Sequence, residues 1–375
     1  MSDGVGDVVR PTHVEVELDA ISDNVAAIDA HVGSADVMPV VKANAYGHGL
    51  VPVAKHLVAS GTRRLAVAYV EEGIELRRAG IEVPILIMGG SAADQVPLFV
   101  ERRLTPGVAS VSKLALFEAA ASSAGRILDI HLNIDTGMER LGIHWHSAEP
   151  LLDAALRSSS VRVEGVYTHF ANSDAADLTH ARTQVERFHE ATSFYDRRSA
   201  PMPLRHLCNS GGVLQLPEAH LELVRPGVMI YGVMPSDEAA RTVEIRPAMR
   251  WVSTAVYVKL VEAGSPVSYG STWAPERRTR IVTVPAGYGD GWFRAHSNRA
   301  EVLIGGRRRP IVGRVCMDQF MVDVGDDEVS PGDEVVLMGD QGGERITAEE
   351  LGAHVGTIGY EICTNVAARV PRVYV

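Results

Sequence analysis

The sequence predicts an α/β chain: a (β/α)8 TIM-type barrel over residues 14–244, followed by a mostly-β domain over 245–375. Three observations predict it. Through the first two thirds, short apolar runs alternate with helically spaced segments, the texture of βαβ units around a parallel sheet. Eight such runs occur, matching the strand number of a barrel whose usual length is roughly 250 residues. After about Glu244 the chain becomes strand-rich with little helix.

Taken in order, residues 1–13 are polar and glycine-rich and read as a flexible N-terminus. HVEVEL (13–18) is a strand that precedes the eight and either opens the barrel or pairs with the second domain. The barrel runs are MPVVKA (38–43), LAVAY (65–69), PILIM (84–88), LTPGVA (104–109), LDIHLNI (128–134), VEGVYTH (163–169), RHLC (205–208) and LELV (221–224). Helical spacing lies between them, as from Val111 through Ala121 and in the polar segment from His180 to Arg198. In the second domain the expected strands are 249–261, 280–286, 300–304, 310–315, 320–324 and 333–338. Within the first, Val252, Thr254, Val256, Val258 and Leu260 alternate with their neighbours, the period of one half-buried strand.

The net charge of −11 provides no basic face for nucleic acid, so an anionic ligand needs locally placed donors. Cys208, Cys316 and Cys363 form no CxxC pair, which argues against a disulfide framework or a thiolate metal site and fits a reducing cytoplasm. Neither a secretory h-region nor an 18-residue apolar stretch is present, so no export or membrane anchoring is expected.

Barrel chemistry gathers at the C-terminal ends of the strands. There the first run continues as VVKANAYGHG, with Lys42 at its end and Tyr46 in the loop after it. A lysine there is either an amphipathic side chain at a strand end or a desolvated amine, whose pKa would fall as condensation with an aldehyde requires. The fifth run is followed by Arg140 in DTGMERLG, and the sixth ends at His169 in THFANSD. The seventh leads to Asn209, Ser210 and two glycines in NSGG, a turn suited to cradling phosphate. The eighth reaches Arg225 in VRPGVMIYG. Each feature alone is more often structural; several at strand ends on one face are not readily accidental.

Together VVKANAYGHG, DTGMERLG, THFANSD, NSGG, VRPGVMIYG, VSYGSTW, AGYGDGW, GRVCMDQFMVDV and TNVAARVPRVY resemble the alanine racemase family of pyridoxal phosphate enzymes, in order and in spacing, from about Val14 onward. The resemblance implies that Lys42 binds the cofactor aldehyde covalently. Tyr46, Ser210, the backbone at Gly227 and Val228, and Tyr360 would hold the phosphate with neutral donors, and Asn209 and His169 would stand beside the cofactor. Arg225 would face the pyridine nitrogen, and a guanidinium there keeps that nitrogen unprotonated and disfavours transamination.

The resemblance also implies two bases: Lys42 on one face of Cα and Tyr269, from the partner subunit of a homodimer, on the other. A tyrosine of ordinary pKa near 10 needs help to act as a base at neutrality, and His169 with its basic neighbours is the expected source. Arg140 and the backbone at Met317 would meet the substrate carboxylate, with Tyr288 and Tyr360 as an aromatic gate that favours alanine. Many family members carry a carbamylated lysine where this chain has Asn133. An anion such as chloride would then fill the space beside Arg140, or other partners would hold it. Asp290 and Asp318 read either as charges in an entry corridor or as solvated carboxylates.

The implied function is cytoplasmic alanine racemisation supplying D-alanine for peptidoglycan, with a racemase of serine or larger amino acids as the alternative. A basic amino-acid decarboxylase of related fold would need an acidic residue at Arg225, and a single-domain cofactor carrier would lack Tyr269. No metal is expected: His144 and His146 lie two apart without a third ligand, and Arg307–Arg309 reads as a solvated hairpin.

Overall fold

The computed structural model describes residues Arg10–Val375, and the chain divides into two compact units. One is Ile21–Ile245; the other joins the chain up to Ala20 to Arg246–Val375. Strands in chain order are β1 (His13–Val16), β2 (Asp36–Val37), β3 (Leu65–Val67), β4 (Ile85–Ile87), β5 (Thr105–Val108), β6 (Leu128–Asp135), β7 (Ile143–His144), β8 (Val161–Tyr167), β9 (Leu204–His206), β10 (Leu223–Val224), β11 (Met249–Thr254), β12 (Tyr257–Val261), β13 (Thr279–Val284), β14 (Glu301–Ile304), β15 (Arg307–Val312), β16 (Phe320–Gly325), β17 (Glu334–Gln341), β18 (Glu344–Ile346) and β19 (Arg372–Tyr374).

In the Ile21–Ile245 unit, β3, β4, β5, β6, β8 and β9 pair in parallel in that order, and β10 pairs with β2. The Val40–Ala66 bridge joins the β2 end to β3, and Arg225 N–H donates to Cys208 O at 2.8 Å between the β9 and β10 ends. The ring of eight is thereby closed, with the short β7 added beside β6. β3 and β4 are buried at every position because helices such as Val70–Arg78 cover the outside of a parallel barrel, which is why these runs read as continuously apolar. The two helices read from spacing occur as Val111–Ser123 and Thr179–Arg197.

The barrel interior is partly polar. Gly165 on β8 stands in register with His131 on β6, and a Cβ there would lie 2.5 Å from the imidazole Nδ1, so only glycine leaves room for that ring.

The second unit is a largely antiparallel sheet in the order β12-β13-β16-β15-β14-β17-β11-β1-β19, with β18 on β17. β1 therefore belongs to this sheet, antiparallel to β11 and parallel to β19, so the barrel unit begins at Ile21 and not at Val14. Residues 1–9 of the expected flexible N-terminus lie outside the described residues; from Arg10 on, the chain is tied down. Thr12 is fully buried, its hydroxyl 2.8 Å from Ser253 Oγ and 2.6 Å from Pro285 O.

The expected single strand over 249–261 is two. At Ala255 the chain turns to bond Asp333 and Gly332, then resumes as β12. Trp251, Val252 and Ser253 are all buried, whereas Val256, just before the sheet-edge strand β12, and Tyr257 and Leu260 on it are exposed, so the alternation does not report one half-buried face. Trp251 and Trp292 meet edge to face at 5.6 Å in the core, each burial worth roughly 2–3 kcal/mol.

Candidate active site

The groups named at strand ends converge at one end of the barrel. Lys42 follows the Val40 bridge, Arg140 lies in the loop after β6, His169 two residues after β8, Asn209 and Ser210 beyond β9, and Arg225 directly after β10. Lys42 opens a turn in which Ala43, Asn44, Ala45 and Tyr46 all have left-handed backbone, with φ of 53°, 55°, 53° and 50°. Such a conformation costs an L-residue roughly 1–2 kcal/mol, so the surroundings must over-determine it. They do: Ala43 N–H donates to Glu72 Oε1 at 2.6 Å, Leu50 N–H to Asn44 Oδ1 at 2.8 Å, and Gly49 N–H to Asn44 O at 2.9 Å.

Burial first and the Arg140 charge second hold Lys42 below the ordinary lysine pKa, with Glu72 pulling the other way and Arg225 adding to the fall. Burial, then the charges of Arg225, Arg140 and Lys42, keep His169 well below the usual histidine value. Lys42, Arg140, His169 and Arg225 thus share one electrostatic neighbourhood. Arg140 itself is exposed, and Asn133 is buried on β6 beside Tyr167.

The second cluster is built around Ser210. Its Oγ accepts from Gly227 N–H at 3.0 Å, and Asn209 Oδ1 accepts from Gly212 N–H at 3.0 Å and from Ser173 Oγ at 2.7 Å. Asn209 is thereby a helix cap whose oxygen is already used. A Cβ on Gly227 would stand 2.4 Å from Tyr46 Oη, so a glycine is what lets the phenol reach the backbone leading into Val228. Burial raises the Tyr46 pKa, keeping the phenol a donor, and Lys42 Nζ is 6.0 Å from its ring centre.

Arg225 is 2% exposed. One of its terminal nitrogens donates to His206 Nδ1 at 2.7 Å and His206 O at 2.6 Å, the other to Thr168 O at 2.6 Å and Leu207 O at 3.1 Å. Its Nε–H, buried, has no partner among the described residues. The guanidinium also lies 5.3 Å over the Tyr167 ring. Burial lowers its pKa to about 10, which still leaves a cation near neutrality.

Tyr269, Met317, Tyr288 and Tyr360 belong to the other unit. Tyr269 is 72% exposed, in a turn where Ser268, Gly270 and Ser271 have positive φ and Ser268 Oγ donates to Arg314 O at 2.6 Å. Tyr288 and Met317 lie together: Tyr288 N–H donates to Cys316 O at 3.1 Å and Gly289 N–H to Met317 O at 2.8 Å. Tyr360, partly exposed, stands on the helix Gly359–Thr364.

Several expectations are corrected. Asp290 is neither a corridor charge nor a solvated carboxylate. It is fully buried and binds Arg10 at 2.5 and 2.7 Å, Arg369 at 2.6 Å and Gly287 N–H at 2.9 Å. Asp318 is exposed but paired with Arg369 at 2.8 Å. Arg307–Arg309 does form a hairpin strand, yet its arginines are ion-paired, Arg307 and Arg309 with Asp327 and Arg308 with Glu301, Glu344 and Glu350. His144 and His146 stack on each other at 5.4 Å, and no group of three or more metal-type ligands occurs among the described residues. His206 and Glu72 lie outside the quoted motifs, and Thr168 opens THFANSD without a role of its own there: all three gain one only when the barrel closes around Arg225 and Lys42.

Comparison with known proteins decides the family. The alanine racemase N-terminal domain model matches residues 16–235 and the C-terminal domain model residues 248–374. The chain belongs to the alanine racemase family. A curated alanine racemase from Carboxydothermus hydrogenoformans is 45% identical over 98% of this chain and 100% of its own length. Among solved structures, the alanine racemase of Streptomyces lavendulae aligns with a TM-score of 0.92 at 38% identity, covering 98% of this chain and 97% of that one. That of Bartonella henselae, described with covalently bound pyridoxal phosphate, aligns at 0.89 and 26% identity over 97% and 99%. Alanine racemases are pyridoxal phosphate-dependent isomerases, and this chain is an isomerase of that kind.

Three features fit such a cofactor. Arg225 Nε–H is the orphan donor a pyridine nitrogen would accept from, the missing Cβ at Gly227 brings the Tyr46 hydroxyl up to the backbone beside Ser210 where neutral donors would meet a phosphate, and Lys42 is held below the ordinary lysine pKa. Among the described residues, no helix is long and apolar enough to cross a membrane.

Proposed function

We propose that this chain interconverts L- and D-alanine, with pyridoxal phosphate bound covalently through Lys42 and with two bases, Lys42 and Tyr269 of the partner subunit, serving opposite faces of Cα. The single observation that carries the reading is the buried Arg225, locked by carbonyls and His206 with only its Nε–H left to give. Pyridoxal phosphate, when bound, supplies an electron-accepting ring to Cα; the rest is done by the chain.

Lys42, whose pKa is lowered by burial and by the Arg140 charge, is the chain's group for taking and returning the proton on one face of Cα. Tyr46, Ser210, Gly227, Val228 and Tyr360 would take the phosphate, Asn209 fixing the turn that carries Ser210. Arg140 and the backbone at Met317 would take the substrate carboxylate, an anion such as chloride beside Asn133 would steady Arg140, and Tyr288 with Tyr360 would narrow the entrance. His169, kept neutral by burial and the surrounding cations, can accept a hydrogen bond from a phenol such as Tyr269 and so orient it.

The exposure of Tyr269 and of Val256, Tyr257 and Leu260 supports a homodimer in which each copy completes the other's site. Three free cysteines support a reducing cytoplasm, where the D-alanine would serve peptidoglycan synthesis.

Two inactive proteins test this together. Lys42→Ala and Tyr269→Phe chains, unfolded and refolded as an equal mixture, are expected to regain activity in about one quarter of the sites, because half the dimers are mixed and each of these has one intact site. A mixture no more active than its parents would exclude shared sites.

A further inference from the structure

Behind Arg225 a line of hydrogen bonds runs through the barrel, away from the groups that would touch a cofactor. Arg225 donates to His206 Nδ1 at 2.7 Å; His206 Nε2 is 2.7 Å from His131 Nδ1; His131 Nε2 is 3.2 Å from Glu164 Oε2; and Arg64 donates to Glu164 Oε1 at 2.7 Å. Both imidazoles are buried, whereas Arg64 and Glu164 keep about a fifth of their side chains exposed.

The donors and acceptors along this line allow one arrangement. A guanidinium only donates, so His206 Nδ1 must accept, and a neutral His206 then carries its proton on Nε2. That proton is given to His131 Nδ1, which leaves the His131 proton on Nε2, donated to a carboxylate that only accepts. Burial favours the neutral form of both rings, with the Glu164 hydrogen bond opposing it at His131 and the Arg225 charge reinforcing it at His206. Reversing the polarity at either end would set N–H against N–H at Arg225, at a cost of roughly 1–3 kcal/mol for the buried donor left unmade. The fork would then swing, and its Nε–H would swing with it.

We infer that Glu164, backed by Arg64 and acting through His131 and His206, is a positioning residue for Arg225 that sets the hydrogen-bond polarity of the whole line and so aims the free Nε–H. This rests on the racemase reading for its catalytic consequence, but the polarity is a property of the protein alone. The room for it is built in: Gly165 beside His131 is the gap that seats the ring.

Substitution at Glu164 separates polarity from bulk. In Glu164→Gln the amide oxygen is claimed by Arg64, which turns the NH2 toward His131 and presents a donor where an acceptor stood. Glu164→Asp keeps an acceptor on a shorter stem. Nitrogen-15 spectra of histidine-labelled full-length protein, with and without pyridoxal phosphate, are expected to show His131 and His206 as neutral Nε2–H tautomers in the wild type and in Glu164→Asp. Nδ1–H forms are expected in Glu164→Gln.

Glu164→Gln is also expected to lower kcat on the order of 10-fold with KM changed less than about twofold. It should convert more bound cofactor to its amine form per turnover, with Glu164→Asp close to wild type. A wild-type His206 bearing its proton on Nδ1 overturns the inference even if no variant folds. So does a Glu164→Gln protein with altered tautomers and unaltered kinetics and cofactor spectrum. A wild type that shows the tautomers but binds no pyridoxal phosphate sinks the racemase reading and leaves the relay standing.

Discussion

Arg225 gathers a buried charge, four donated hydrogen bonds and a ring contact at one position, and that density makes it intolerant of conservative change. A lysine has the charge without the planar fork and cannot reach His206, Thr168 and Leu207 together. Arg225→Lys is expected to cost roughly 2–4 kcal/mol in urea unfolding, because carbonyls are left unpaired in a dry interior. It should also lower kcat by about two orders of magnitude, as loss of one aimed donor does elsewhere. Activity within a few-fold of wild type would mean that charge alone suffices. The arginine is legible in the sequence because it directly follows a strand and precedes Pro226 and Gly227. Its partners are not, because Thr168, His206 and Leu207 meet it only when β8, β9 and β10 lie side by side.

Among elements, the left-handed turn from Ala43 to Tyr46 is the least expected. Nothing in KANAY but Asn44 favours that backbone, and the glycines that would have signalled it come after the turn, at Gly47 and Gly49. The conformation is imposed by Glu72 and Asn44 side chains acting on backbone N–H groups, so it is a tertiary effect that no local propensity reports. Ala43 is exposed, which allows a clean test. Ala43→Gly is expected to be neutral or stabilising by up to about 1 kcal/mol, and Ala43→Val destabilising by about 1–2 kcal/mol. Differential thermal unfolding orders the three proteins, and the reverse order would show that the turn is not strained. The broken strand at Ala255 teaches a related lesson. Period-two alternation persists on both sides of the break, because β11 and β12 are each strands, but alternation does not say where a chain leaves one sheet position for another.

At the scale of the whole molecule, acid sensitivity is built into both units. Burial holds His296 of the β-rich unit at about 4, with its Nδ1 unpaired and its ring 4.6 Å from Trp292. His169 and His206 of the barrel are lowered in the same direction. A histidine whose folded pKa lies below its unfolded value of about 6.5 takes up a proton on unfolding. Its contribution is therefore intact above that value and lost as the pH falls toward the folded pKa. Urea unfolding is expected to show stability declining from pH 6.5 toward 4.5. His296→Phe should remove up to one proton from the slope, about 1.4 kcal/mol per pH unit. An unchanged slope would place the acid response elsewhere.

The division into a barrel and a β-rich domain is legible from texture, whereas the ownership of β1 is not: HVEVEL carries the pattern of a strand but no mark of which sheet receives it. Asp290 was equally opaque, since nothing local foretells that Arg10 and Arg369, from far ends of the sequence, would enclose it.

The place of β1 in the sheet has a consequence in time. Both its neighbours, β11 and β19, follow the entire barrel in the order of synthesis. At ribosomal speeds of about 5–20 residues per second, β1 waits tens of seconds after emerging before β11 can flank it, and longer for β19. The barrel can be finished in that interval and the sheet cannot. A newly made chain therefore passes through a period in which one half of the molecule is complete and the first strand of the other is still an unpaired edge.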